Sequence, residues 1–171
     1  FASKHQSAWD TMIVPVFIRD AAAIVKKELL QIPFYGWYAT KHSMIGIDRK
    51  AGTKALRHML DASREALAAG RPIVVFPEGT RTAPGERRPY HSGVAALYSG
   101  LKVPVVPVAL NSGLFWGRRA FTKKAGCITM RFLEPIPPGL KRRDFMAQLE
   151  ETIESASDEL MKAEQDLRNA V

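Results

Sequence analysis

A histidine and an aspartate five positions apart, in Lys4-His5-Gln6-Ser7-Ala8-Trp9-Asp10, open the chain with residue types suited to acid–base chemistry. If Ser7 caps a helix, Asp10 occupies its N3 position, where a carboxylate points back toward the chain entering the helix. His5 lies in that entering segment. A carboxylate there accepts the proton of one imidazole nitrogen, which fixes the tautomer and leaves the other nitrogen free as a base. Read without chemistry, Ser7-x-x-Asp10 is simply a capping box.

A second constellation, Val75-Phe76-Pro77-Glu78-Gly79-Thr80-Arg81-Thr82, includes the end of the most strand-like run in the chain. Loops at the carboxyl ends of strands are where α/β sheets bind ligands. Gly79 permits close backbone approach, and Arg81 offers a planar fork suited to a phosphate. No Gly-Lys-Ser/Thr follows, so this is not a Walker loop. A third group, Gly46-Ile47-Asp48-Arg49, again puts charge at the end of an apolar strand, with Arg49 as a candidate second phosphate ligand. Each motif also has an ordinary reading: a polar turn with a surface arginine, and a surface ion pair between Asp48 and Arg49.

The remaining reactive side chains take the plain reading. His42, His58 and His91 lack a partner at recognisable spacing and are expected at the surface or as satisfied structural groups. Cys127 is expected to be a buried small hydrophobe in an apolar strand. As the single cysteine it excludes an intramolecular disulfide, no Cys/His spacing resembles a zinc site, and a reducing, cytoplasmic setting fits. Tyr90-His91-Ser92-Gly93-Val94 lacks the Gly-x-Ser-x-Gly pattern of a hydrolase elbow. The stretch from Leu114 to Phe121 interleaves aromatics with arginines, as interfacial membrane binders do. With Phe34, Tyr35, Trp37 and Tyr38 it would seat the domain on a bilayer; core aromatics beside a solvated charge pair are the plainer alternative.

These side chains need a frame. Pro72 to Phe76 and Val103 to Leu110 are short, β-branched and apolar, as strands covered on both faces should be, although Pro104 and Pro107 weaken the second. Ala21 to Val25, Met44 to Ile47 and Cys127 to Phe132 are weaker strand candidates. Between Ile47 and Pro72, Leu56, Met59, Leu60, Ser63 and Leu67 recur near a 3.6 period, predicting a helix over Thr53 to Ala69 that Gly70 ends. Strand, helix and strand in that order predict a crossover in a largely parallel sheet. From Asp144 to Asn169 a long packing helix is expected, with Phe145, Leu149, Ile153, Ala156, Leu160, Ala163 and Leu167 on one face and most of its acids elsewhere. The fold class is α/β: a single domain over 1–171, with a largely parallel central sheet flanked by helices.

The net charge of +8 is unevenly spread. Residues 144–171 carry eight acids against Lys162 and Arg168, whereas residues 1–143 carry 23 basic and nine acidic groups. Such a basic body attracts nucleic acid, an anionic membrane surface or a phosphorylated substrate, and charge alone does not choose among them. No apolar run approaches the roughly 18 residues of a membrane span. The chain begins at Phe1, so it is read as a fragment whose membrane anchor, if it has one, lies upstream.

Taken together, His-x4-Asp, Gly-Ile-Asp-Arg, Phe-Pro-Glu-Gly-Thr-Arg and Val-Pro-Val-Val-Pro-Val-Ala-Leu, in this order from residue 5 to residue 110, resemble the four blocks of the glycerolipid acyltransferases. Lys26-Lys27-Glu28-Leu29 and Ile32-Pro33-Phe34-Tyr35-Gly36-Trp37 resemble the link between the first two blocks in the lysophosphatidate branch. One departure is Lys4, where many members have asparagine. The resemblance implies that His5 is a general base oriented by Asp10, acting on the hydroxyl of a lysophospholipid acceptor as it attacks an acyl thioester. It implies that Arg49 and Arg81 hold the acceptor's phosphate, with Glu78, Gly79 and Thr80 in the same pocket and Lys26 a further candidate. Coenzyme A or acyl carrier protein would deliver the acyl group as co-substrate, with no cofactor and no metal. An anionic membrane at its cytoplasmic face would be the working surface, and no nucleic acid partner is expected. Two alternatives stay open: another acceptor, such as glycerol-3-phosphate or a lyso-ornithine lipid, and a non-catalytic basic module.

Overall fold

A computed structural model describes residues 1–169. Strands and helices follow one another as β1 (Ala2–Ser3), α1 (Ala8–Phe17), β2 (Ala22–Lys26), α2 (Tyr35–Lys41), β3 (Ile45–Ile47), α3 (Gly52–Ala68), β4 (Ile73–Val74), α4 (Ser92–Leu101), β5 (Pro107–Leu110), β6 (Met130–Phe132) and α5 (Arg142–Asn169). β2 runs parallel to β3 on one side and β4 on the other. β1 pairs in parallel with β5, whose other edge takes β6 antiparallel. A parallel bridge from Ala2 to Val75, with the Ser3 N–H donating to the Val75 carbonyl at 2.9 Å, joins the two halves. The strand order across the molecule is therefore β3-β2-β4-β1-β5-β6.

The alternation of side chains along each strand explains why helices cover both faces. Ala22 and Ile73 pack with Met59 and Ala66 of α3, while their neighbours Ala23 and Val74 pack with Val14 and Ile18 on the α1 side. On the far half, Phe145, Leu149 and Ile153 of α5 meet Val94 and Tyr98 of α4 beside Ala2. The Tyr98 and Phe145 rings stack there at 3.7 Å between centroids. β1 thus emerges from the middle of the sheet, and the residues that follow it stand at the carboxyl ends of the parallel strands.

Several expected elements are shorter than their sequence patterns. The run Val103 to Leu110 forms a strand only from Pro107, because Pro104 and Pro107 bring no N–H to a ladder. Its earlier half contributes a single antiparallel bridge, Val105 to Ile136. Cys127 lies outside any strand and is exposed, which corrects its expected burial: β6 begins only at Met130. In α5 the buried stripe runs from Phe145 to Leu160, whereas Ala163 and Leu167 are exposed because the helix extends past the sheet. One of the helix's acids, Glu154, is buried as well, where most of them were expected to lie away from the packing face.

Candidate active site

The chain leaves β1 directly into the His5 segment. Ser7 is extended (φ −135°, ψ 162°) and caps α1, its hydroxyl accepting from the Trp9 N–H at 3.2 Å. Asp10 closes the capping box from the N3 position: its Oδ2 accepts from the N–H groups of Ser7 at 2.8 Å and Gln6 at 2.7 Å. The same oxygen lies 3.0 Å from His5 Nδ1. Ser112, in the turn after β5, donates its hydroxyl to Oδ1 at 2.5 Å. Asp10 is fully buried, so these donors replace water around the carboxylate and fix its orientation. A carboxylate at that distance suits the tautomer with the proton on Nδ1, which leaves Nε2 without one. The imidazole stacks on the Phe76 ring at 4.2 Å, and its side chain keeps 13% exposure. The capping box and the histidine–aspartate pair are one structure rather than rival readings.

The second motif grips the first through the main chain. The His5 carbonyl accepts from the Thr82 N–H at 2.8 Å, and the His5 N–H donates to Glu78 Oε2 at 2.9 Å. Glu78 Oε1 accepts from the Thr82 hydroxyl at 3.0 Å and lies 2.8 Å from Lys4 Nζ. Burial pushes the Glu78 carboxyl above the usual glutamate range, and Lys4 opposes that shift. The Glu78 carboxylate is thus committed to the protein interior, behind His5 rather than in the open pocket.

Arg49 bypasses the neighbouring aspartate. Asp48 instead caps the turn Arg49–Ala51 by accepting from the Lys50 N–H, while Arg49 Nη1 donates to the Gly79 carbonyl at 2.7 Å. Gly79 has φ +64°, and a Cβ there would fall 2.6 Å from His91 Cδ2 and 2.8 Å from Arg49 Nη1. The glycine is required by both its backbone angle and its neighbours. These three residues help line a cavity of about 460 Å³ whose walls are mostly apolar, among them Ile24, Leu56, Met59, Val75, Phe76 and Leu97. Phe76 is shared, with His5 stacked on the ring and the ring itself lining the cavity.

Lys26 ends β2 and is exposed, close enough for its charge to act on His91. Burial, then Arg49 and Lys26, holds His91 below the usual histidine range. Thr80 and Arg81 follow Gly79 and are half-buried. Among the described residues no group of three or more His, Cys, Asp or Glu side chains is placed to hold a metal ion.

An acyltransferase family model matches residues 1–111, which contain His5, Asp10, Arg49 and the whole Glu78 to Arg81 motif. The chain belongs to the acyltransferase family. Within that family it is 36% identical over 126 residues to the 1-acyl-sn-glycerol-3-phosphate acyltransferase of Pseudomonas aeruginosa, covering 74% of this chain and 49% of that protein. It is 31% identical over 154 residues to the Helicobacter pylori protein of the same name, covering 88% of this chain and 65% of that one. The crystal structure of the 1-acyl-sn-glycerophosphate (LPA) acyltransferase PlsC from Thermotoga maritima superposes with a TM-score of 0.78 at 26% identity, over 94% of this chain and 65% of that one. The chain therefore spans about half to two thirds of the length of these acyltransferases.

Three features of this candidate site escape a reading of motifs. His91 is exposed, as expected, but it lines the cavity beside Gly79 and Arg49, and its N–H bonds the Pro77 carbonyl at 2.9 Å. The one hint was its position immediately before an apolar helix. Ser112 reaches Asp10 across 102 positions of sequence, a contact that no local pattern encodes. Lys4, read only as a departure beside the histidine, is fully enclosed and pairs with acids from two distant segments.

Proposed function

We propose that this chain is the catalytic domain of a 1-acylglycerol-3-phosphate acyltransferase. It transfers an acyl group from a thioester of coenzyme A or acyl carrier protein to the sn-2 hydroxyl, giving phosphatidic acid. The 3.0 Å contact between His5 Nδ1 and the buried Asp10 carboxylate carries the reading, because it frees the other ring nitrogen of an imidazole stacked on Phe76, a residue that lines the same cavity as Arg49.

His5 Nε2 takes the proton of the acceptor hydroxyl as that oxygen bonds to the thioester carbonyl carbon. Asp10 stabilises the imidazolium that forms. When the C–S bond breaks, the imidazolium returns the proton to the departing thiolate, and no acyl-enzyme forms. Base catalysis of this kind contributes about 10² to 10⁴-fold, and positioning of both substrates supplies much of the rest. Arg49, Arg81 and Lys26 bind the acceptor's phosphate, with Gly79 and Thr80 forming the wall between them, while Glu78 braces His5 from behind. The apolar cavity has the chemistry to take a hydrocarbon chain. The exposed aromatics Phe34, Trp37 and Phe121 and the basic body dock the domain on an anionic membrane at its cytoplasmic face. An acceptor panel with one labelled acyl donor tests the assignment: lysophosphatidate should be preferred over lysophospholipids without a phosphomonoester, and indifference to that group would refute it.

A further inference from the structure

Lys4 is 1% exposed, and its ammonium stands between two carboxylates, 2.8 Å from Glu78 Oε1 and 2.7 and 2.8 Å from the two oxygens of Glu154. Tyr90 donates its hydroxyl to Glu154 Oε1 at 2.9 Å, and all four side chains are buried. Glu78 faces two ways, with Oε1 toward Lys4 and Oε2 toward the His5 N–H. A continuous set of contacts, none longer than 2.9 Å, thus runs from the middle of α5 to the main chain of His5.

Packing alone does not call for this arrangement. Phe145, Leu149, Ile153, Ala156 and Leu160 already seat α5 through apolar burial. Exchanging a buried ion pair for apolar groups of similar volume is often neutral or stabilising, so stability is a weak reason to keep one. What such a cluster does supply is a fixed geometry, since each charged atom must stay within reach of its partners in a low-dielectric interior. Glu154 also lies outside residues 1–111, the part matched to the family.

We propose that Glu154 is a positioning residue for acyl transfer: through Lys4 and Glu78 it sets the main chain at His5, and so the place of the imidazole against the acceptor hydroxyl. The C-terminal helix is then part of the catalytic apparatus rather than only a cover for the sheet. This rests on the acyl-transfer reading above.

The test compares the full chain with Glu154→Leu and Glu154→Gln. Leucine fits the apolar stripe but releases Lys4 and Tyr90, whereas glutamine keeps an acceptor for both. Misplacing a catalytic base by a fraction of an ångström is costly, so kcat of Glu154→Leu should fall about tenfold with both KM values within about twofold. Glu154→Gln should stay within about threefold of wild type, since its neutral acceptor still holds the Lys4 ammonium. Hydrogen exchange gives the readout that a merely structural role would not move. Removing one partner of a buried charge lowers the melting temperature, but the His5 amide should lose more protection in Glu154→Leu than the β2 and β4 amides do. Wild-type kcat and wild-type His5 protection in Glu154→Leu would overturn the inference, and so would a loss of protection spread evenly over the sheet. If the wild type transfers no acyl group to any acceptor, the acyl-transfer reading falls. The exchange data then decide separately whether Glu154 fixes His5.

Discussion

The guanidinium of Arg49 donates to the Gly79 carbonyl at 2.7 Å, so two motifs 30 positions apart meet on the lining of one cavity. Gly79→Ala should break that meeting. A left-handed backbone costs a non-glycine residue about 1–2 kcal/mol, and the new Cβ would press on the His91 ring and the Arg49 guanidinium. The expected outcome in steady-state kinetics is a KM for lysophosphatidate raised about tenfold, equivalent to about 1.4 kcal/mol, with the donor's KM nearly unchanged. An unaltered acceptor KM would remove Gly79 and Arg49 from the phosphate site.

Asp10 accepts hydrogen bonds from two backbone N–H groups, Ser112 and His5. Asp10→Asn retains similar volume but cannot stabilise the imidazolium by charge. Its kcat should fall about 10²-fold or more with little change in KM. Ser112→Ala, which strands one oxygen of a buried carboxylate, should lower stability by about 1–3 kcal/mol and kcat only several-fold. Thermal denaturation beside kinetics separates the two roles; equal kcat losses in both variants would contradict the division.

Acid should destabilise the protein through His91. Its pKa is lowered on folding, first by burial and then by Arg49 and Lys26, so the unfolded chain binds the proton more readily. The stability at stake is present above the unfolded histidine value of 6.5 and is lost as pH falls toward the lower folded value. Melting temperatures of wild type and His91→Gln across this range should show the wild type losing ground as pH falls. A difference independent of pH would mean that His91 is not confined beside those cations.

Phe121 is 95% exposed and Phe34 and Trp37 meet edge-on at the surface, whereas Phe115 is in the core. Of the aromatics in that interfacial reading, Phe121, Phe34 and Trp37 are therefore free to meet a bilayer and Phe115 is not. Vesicles containing anionic lipid should bind the domain, less so as salt rises, and less tightly after Phe34→Ala or Trp37→Ala. Binding that ignores both salt and these substitutions would place the membrane contact elsewhere.

What could be read from the sequence was whatever is written locally. The cap at Ser7, the period of α3 and the apolar runs of β2 to β5 all act within a few residues, and the structure has them, β4 and β5 in shortened form. The pairing of His5 with Asp10 is also local, since five positions across a helix start leave a carboxylate few other directions. β1 is only two residues long and carries no period at all. The placement of Glu78 behind His5, the approach of Ser112 to Asp10 and the burial of Glu154 depend on how distant segments pack. At Glu154 the pattern misled, because an acid beside Ile153 on a charged helix looks like part of the solvated face until Lys4 is seen against it.

Acyl transfer from a labelled thioester to lysophosphatidate, measured side by side for wild type and His5→Ala, addresses the central claim most directly. The wild type should produce phosphatidic acid. His5→Ala, with the same circular dichroism and binding to lysophosphatidate, should lose about 10²-fold or more of that rate. A folded His5→Ala protein that turns over at close to the wild-type rate would contradict the account.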